Sequence, residues 1–222
     1  TTLMRILYGL YSADEGQVFV NEEPVVIRSP KDAIQNGIGM VTQHFTLVPT
    51  LTVAENIVLG ESGSITLNLR EVEKKVAEAS ERFGIPVNPQ SLVKHLSVGE
   101  RQRVEILKAL YHDAKVLILD EPTAVLVPQE VEVLFEALVR LQKEGLSVIF
   151  ISHHLNEVMQ ICNRVTVLRD GKLAGTVKVA DTNLKELANM MVGRENFGVT
   201  RQGVRERGKL ELKIESINAV DK

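Results

Sequence analysis

Two adjacent carboxylates, Asp120 and Glu121, follow the apolar run Val116-Leu117-Ile118-Leu119 and precede Pro122. A strand of that composition delivers both acids at its carboxyl end. There Asp120 can hold Mg²⁺, directly or through water, because a hard cation wants carboxylate oxygen. Glu121 can orient or deprotonate an attacking water. The same residues also read as a buried strand ending in an acidic turn. A second apolar run, Ile149-Phe150-Ile151, ends in Ser152-His153-His154. Histidine just past a strand can reach a terminal phosphate, or it can stand on the surface. His154, His95, His112 and His44 carry no such positional argument. Val41-Thr42-Gln43 sets an amide at the end of a third apolar run. A neutral Gln43 can ligate Mg²⁺ or position water without adding charge, or it can be a polar loop residue. Leu96-Ser97-Val98-Gly99-Glu100 opens a helix. Ser97 and Glu100 form a Ser-x-x-Glu capping box, which needs no function. A helix start with a hydroxyl, a glycine and free N–H groups is also an anion site.

These groups need a frame that brings several strand ends together. Leu3, Ile6, Leu7 and Leu10 recur at helical spacing and predict a helix already under way at residue 1. Runs 17–21 and 24–28 read as strands joined at Glu22-Glu23. Ser29 and Pro30 open a short helix that Gly37 ends. Ile38–Val41 reads as a buried strand. From about 42 to 112 the pattern is helical, with helices over 54–59, 70–83 and Val98–Tyr111, punctuated by Gly84, Pro86 and Pro89. Strand 116–119, helix Pro128–Lys143, strand Ser147–Ile151, helix Leu155–Ile161 and strand 164–168 follow. Asp170-Gly171 then turns into a strand over 173–177. Unbroken apolar strands alternating with helices predict a parallel sheet covered on both faces. Such sheets bind ligands beyond the carboxyl ends of their strands.

Composition narrows the class. The chain has 222 residues, 44% hydrophobic and 25% charged, with formal net charge −3. That balance argues against a basic nucleic-acid binder working by phosphate neutralisation. The single cysteine, Cys162, makes no intrachain disulfide. No apolar run approaches the roughly 20 residues of a membrane helix, and no signal-peptide pattern is read at the start. The expectation is a cytosolic protein that can sit against a membrane protein.

Taken in order, Gln43, Leu-Ser-Val-Gly-Glu at 96–100, Asp120-Glu121-Pro122 and Ser152-His153 resemble the nucleotide-binding cassette of ABC transporters over residues 1–193. The resemblance implies an α/β, P-loop NTPase-like fold: a mainly parallel sheet with helices on both faces, an inserted helical lobe at about 44–112, and an N-terminal truncation. It matches Gln43 to the Q-loop, 96–100 to the signature motif, Asp120 and Glu121 to the Walker B pair, and His153 to the switch histidine. ATP and Mg²⁺ are the implied cofactors. Asp120 serves Mg²⁺, Glu121 the water, and His153 the γ-phosphate, while Gln43 links the site to the lobe. Ser97, Gly99 and Glu100 serve the phosphate of a partner cassette.

The closer likeness, carried by residues 40–57 and by Leu210, Leu212, Ile214 and Ile217, is to the first cassette of tandem ATPases of simple-sugar and nucleoside importers. It implies a linker at 194–208 and the start of a second cassette at 209–222. The implied partners are membrane permease subunits, a second cassette in the same chain or a dimer, and indirectly a solute-binding protein, with no nucleic acid. The implied location is the inner face of the plasma membrane. Phe45 to Leu51 either lines a groove for a permease helix or packs the lobe.

Departures from the family pattern matter. No Gly-x-x-x-x-Gly-Lys-Ser/Thr occurs in the sequence. Thr1 and Thr2 look like the last residues of that loop, Thr1 standing where the Mg²⁺-binding hydroxyl would be, so weak ATP binding by this chain alone is expected. Val98 replaces a signature glycine, Glu100 a glutamine, and Val127 an aspartate, from which one weak composite site is expected. An ABC ATPase acting on ribosomes or DNA, and a non-catalytic interaction fragment, are the other readings.

Overall fold

The computed structural model describes residues 1–60 and 68–193. The predicted linker and second-cassette strand lie outside the described residues. Helix α1 (Thr2–Leu7) comes first, then strands β1 (Val18–Val20) and β2 (Glu23–Val25), helix α2 (Pro30–Gln35) and strand β3 (Ile38–Val41). Helices α3 (Val53–Ile57), α4 (Leu69–Phe83) and α5 (Val98–Tyr111) form the lobe. Strand β4 (Val116–Asp120), helix α6 (Pro128–Lys143), β5 (Ser147–Ile151), α7 (Leu155–Ile161), β6 (Arg164–Arg169), β7 (Lys172–Lys178) and α8 (Leu184–Val192) complete the order.

β3, β4 and β5 make a parallel sheet in that order. Side chains alternate across a strand, so successive β4 residues feed opposite cores. Leu117 and Leu119 join the larger core with Val104, Leu107 and Leu110 of α5 and Leu134, Leu138 and Leu141 of α6. Ile118 turns to the other face, against Ile38, Met40 and Ala33, with Met4 and Leu7 of α1 packed alongside. All three β4 side chains are fully buried, each burial stabilising by about 1.5–3 kcal/mol. This is the predicted sheet covered on both faces. Gly39 lets α5 approach, since a Cβ there would lie 3.0 Å from Ala109 Cβ and 3.1 Å from Ala114 Cβ.

Local chemistry sets the ends. Ser29 accepts from the Asp32 N–H, and Pro30 stands in the first turn of α2. Thr52 and Glu55 close a capping box on α3. Gly84 ends α4 in the left-handed region at φ 56°. The Arg140 guanidinium of α6 lies where a Gly84 Cβ would stand, joining lobe to body. Buried Asn56 satisfies the chain ahead of it: its Oδ1 accepts from Val48 N–H at 2.7 Å, and its Nδ2 donates to Val48 and Thr52 carbonyls at 3.1 and 2.9 Å. Leu47 is buried in the same core, so packing accounts for that part of the 45–51 run.

Some elements differ from expectation. α1 stops at Leu7 and Leu10 is exposed, because Gly9 takes φ 78° against the Ser29 backbone. β1 and β2 shrink to three residues each, since Asn21 and Glu22 both adopt positive φ in the turn. β6 and β7 pair antiparallel around Asp170 and Gly171, both at positive φ, as the turn residues predict. α8 was not predicted. Its signals are a cap in which Asn183 Oδ1 accepts from the Glu186 N–H, buried Leu187 and left-handed Gly193. Among the described residues no helix is long and apolar enough to cross a membrane.

Candidate active site

The carboxyl ends of β4 and β5 lie side by side, because Asp120 pairs with Ile151 in register. Asp120 is 1% exposed. The Thr1 hydroxyl donates to its Oδ1 at 2.8 Å, a contact across 119 residues of sequence. Its Oδ2 is buried with no hydrogen-bond partner among the described residues. A carboxylate oxygen removed from water without a donor is costly unless a cation meets it. The donor set of hydroxyl and carboxylate is all oxygen, which suits Mg²⁺.

Glu121 begins the turn out of the sheet at φ 51°, a left-handed backbone that costs a non-glycine residue about 1–3 kcal/mol. Its N–H donates to the Ile151 carbonyl at 2.9 Å, clamping the two strand ends. That conformation turns its side chain toward the β5 loop. His153 Nδ1–H donates to Glu121 Oε1 at 2.9 Å, while Glu121 Oε2 is buried without a hydrogen-bond partner among the described residues. Glu121 is mostly covered (side chain 15% exposed) and His153 mostly open (65%). The hydrogen bond to Glu121, and then its negative charge, raise the His153 pKa above the ordinary 6.5.

Glu157 of α7 holds this arrangement from behind. Its Oε2 accepts from the Thr123 hydroxyl at 2.7 Å and the Ser152 hydroxyl at 3.2 Å. Ser152 Oγ in turn accepts from the His154 N–H at 2.9 Å. One carboxylate therefore braces both loops, the one following Glu121 and the one carrying His153. Sequence reasoning missed Glu157 and Thr123. The available signal was an acid in the first turn of a helix that begins straight after the strand end. It also set His154 aside, yet the His154 ring lies against His153, tilted by 37° with centroids 4.1 Å apart.

The remaining predicted residues are placed as follows. Gln43 is exposed, two residues beyond β3, and the pairing of Val41 with Leu119 puts it, like Asp120, at the carboxyl-end side of the sheet. Thr2 is exposed at the start of α1. Ser97, Gly99 and Glu100 form their own group at the α5 N-terminus. Ser97 Oγ accepts from the Glu100 N–H at 3.2 Å, and Glu100 Oε2 accepts from the Ser97 N–H at 2.7 Å. That backbone N–H bond, foremost, holds the Glu100 carboxyl below its ordinary range. Gly99 is buried, with the Glu130 carboxylate where a Cβ would stand. Among the described residues no hydrogen bond joins this group to Asp120, Glu121 or His153. The structure thus brings Thr1, Asp120, Glu121 and His153 together and sets the signature group apart. Val127 is exposed, and its N–H donates to Glu130.

Residues 1–124 match the family model described as ABC transporter. The glucose import ATP-binding protein TsgD13 of Haloferax volcanii is 45% identical over 252 residues, covering 100% of this chain and 46% of that protein. The nucleoside import ATP-binding protein NupA of Lactococcus lactis subsp. cremoris is 46% identical over 220 residues, covering 98% and 44%. The chain spans about half the length of the curated relatives it matches. Among solved structures, cbiO1 of Clostridium perfringens, part of the ABC transporter complex cbiONQ, superposes with TM-score 0.68 at 29% identity, covering 86% of this chain and 75% of that one. A nucleotide-free ATP-binding cassette from an ABC transporter shares the fold at TM-score 0.70 and 22% identity, covering 86% and 79%.

Proposed function

Because the chain belongs to the ABC transporter family, we propose that it is the larger part of an ATP-hydrolysing cassette, residues 1–193, in an importer for simple sugars or nucleosides. The observation that carries the hydrolytic reading is the juxtaposition, at the carboxyl ends of the strands, of two pairs. One is Thr1 with Asp120 at 2.8 Å; the other is Glu121 with His153 at 2.9 Å. Import is supported by the relatives, which are glucose and nucleoside import ATP-binding proteins.

In the proposed reaction, water attacks the γ-phosphorus of ATP and the bond to the bridging oxygen breaks, leaving ADP and phosphate. Such transfer needs positioning and charge compensation more than covalent help. Thr1, Asp120 and Gln43 would hold Mg²⁺, which supplies positive charge beside the phosphate oxygens. Glu121 orients the water and takes its proton. His153, pinned to Glu121, faces the terminal phosphate and donates a hydrogen bond to it. Ser97, Gly99 and Glu100 present the α5 N-terminus to the phosphate bound by a second cassette, in the same chain or in a dimer. The membrane permease subunits sit against this cassette on the inner face of the plasma membrane, and a solute-binding protein acts through them. Residues 194–208 serve as a linker, and 209–222 begin the second cassette.

The substitution Glu121→Gln in the complete protein tests the assignment. Hydrolysis should fall by about 10²–10⁴-fold, the usual contribution of a general base, with ATP binding retained in equilibrium measurements. Unchanged turnover would remove Glu121 from the chemistry and the hydrolytic reading with it.

A further inference from the structure

Three potential ligands stand on the two loops described above. One carboxylate oxygen of Glu121 and one ring nitrogen each of His153 and His154 lie within 4.8 Å of one another. From this we propose that Glu121, His153 and His154 form a binding site for a borderline transition-metal cation such as Zn²⁺, distinct from the all-oxygen site at Thr1 and Asp120.

The ligand chemistry selects the ion. Two imidazoles and one carboxylate suit Zn²⁺ and its neighbours, whereas Mg²⁺ keeps to oxygen. A tetrahedral ion with bonds of about 2.0 Å separates its ligands by about 3.3 Å. Glu121 Oε1 and His153 Nδ1 already stand 2.9 Å apart, and the adjoining His154 ring is the group that must close in. Both histidines are exposed, so their rings can turn without displacing packed neighbours. The backbone beneath them is fixed. His154 N–H is held by Ser152, Ser152 by Glu157, and Glu121 N–H by the Ile151 carbonyl. A rigid base under two rotatable rings lowers the ordering cost of capture. A fourth position remains open to water or a phosphate oxygen.

Capture at this site would occupy the carboxylate and the imidazole assigned above to water and phosphate, so Zn²⁺ should inhibit ATP turnover. That consequence, unlike the binding itself, rests on the hydrolytic reading.

The test uses the complete protein and its His154→Ala variant, an exposed change outside the proposed catalytic groups. Zn²⁺ affinity is read by competition with a chromophoric chelator, without nucleotide. Co²⁺ is read by the d–d absorption of a tetrahedral ion. The expected result is at least a tenfold weaker Zn²⁺ affinity and loss of the tetrahedral band in His154→Ala, with neither change in the control His95→Ala. Zn²⁺ that inhibits the parent should then leave His154→Ala active at the same concentration. Equal affinity in parent and His154→Ala, or equal loss in His95→Ala, would overturn the site. If the metal binds through His154 while Glu121→Gln hydrolyses normally, the site stands and the hydrolytic reading falls.

Discussion

At the scale of single residues, the Glu121–His153 contact ties folding to pH. The His153 pKa is raised by its hydrogen bond to Glu121, so the folded state holds the proton more tightly than the unfolded chain. The resulting stabilisation is fully present below the ordinary value of 6.5. It is lost as pH rises through the raised value. Thermal melts of the parent and His153→Ala should therefore differ most at mildly acid pH and converge as the solution turns alkaline. A gap that widened toward alkaline pH would contradict the assignment. Glu157 has a different signature. Glu157→Ala leaves the hydroxyls of Thr123 and Ser152 without their shared acceptor, at a cost of about 1–3 kcal/mol. Because Glu157 steadies both loops rather than touching substrate, kcat should fall with KM little changed. Glu157→Gln, which keeps an acceptor oxygen, should recover part of the loss. The acids and His153 were legible in the sequence because each follows an apolar strand. Glu157 and His154 were not, because their roles depend on which loops the fold makes adjacent.

At the scale of elements, helix starts carry predictable energies. Asn56 of α3 accepts from the Val48 N–H and donates to the Val48 and Thr52 carbonyls, which also take backbone donors. Asn56→Ala leaves the Val48 N–H without its acceptor and should lower stability by about 1–3 kcal/mol in denaturant titration. A change under 0.5 kcal/mol would mean that the loop re-pairs elsewhere. At α5, the Glu100 carboxyl is held below its ordinary 4.5 by the Ser97 N–H. Its support is therefore present above that value and fades as pH falls through the lowered one. Glu100→Gln should flatten this acid-side loss, leaving the variant less pH-sensitive than the parent in melts between neutral and acid solution. The pattern of residues predicted most elements well: α6 and β5 have the expected ends because Pro128 and Gly145 punctuate the sequence. α1 was overextended because periodicity carried the reading to Leu10. Periodicity does not register the close approach of Gly9 to the Ser29 backbone. α8 went unseen although its cap and its terminal glycine are ordinary signals.

At the scale of the whole molecule, a parallel sheet with cores on both faces followed from the alternation of apolar runs with helices, and the alternation of Leu117, Ile118 and Leu119 between two cores realises it. The register that sets Asp120 beside Ile151 was not readable from the chain, since strand order depends on crossovers rather than on local composition. The meeting of lobe and body was also hidden. It rests on the core that α5 shares with β4 and α6, and Arg140 lying over Gly84, an arginine and a glycine distant in sequence, adds a close approach to it.

The left-handed backbone at Glu121 has a consequence for how this molecule responds to directed evolution. Glycine adopts φ 51° without steric penalty, so Glu121→Gly relieves local strain of about 1–3 kcal/mol. It also removes a buried oxygen with no donor among the described residues. At alkaline pH, where the His153 contact no longer stabilises, this leaves a net gain. A library sorted only for heat resistance at that pH should therefore enrich sequences that have discarded the acid. Selection for survival at high temperature and selection for turnover would pull this one position in opposite directions.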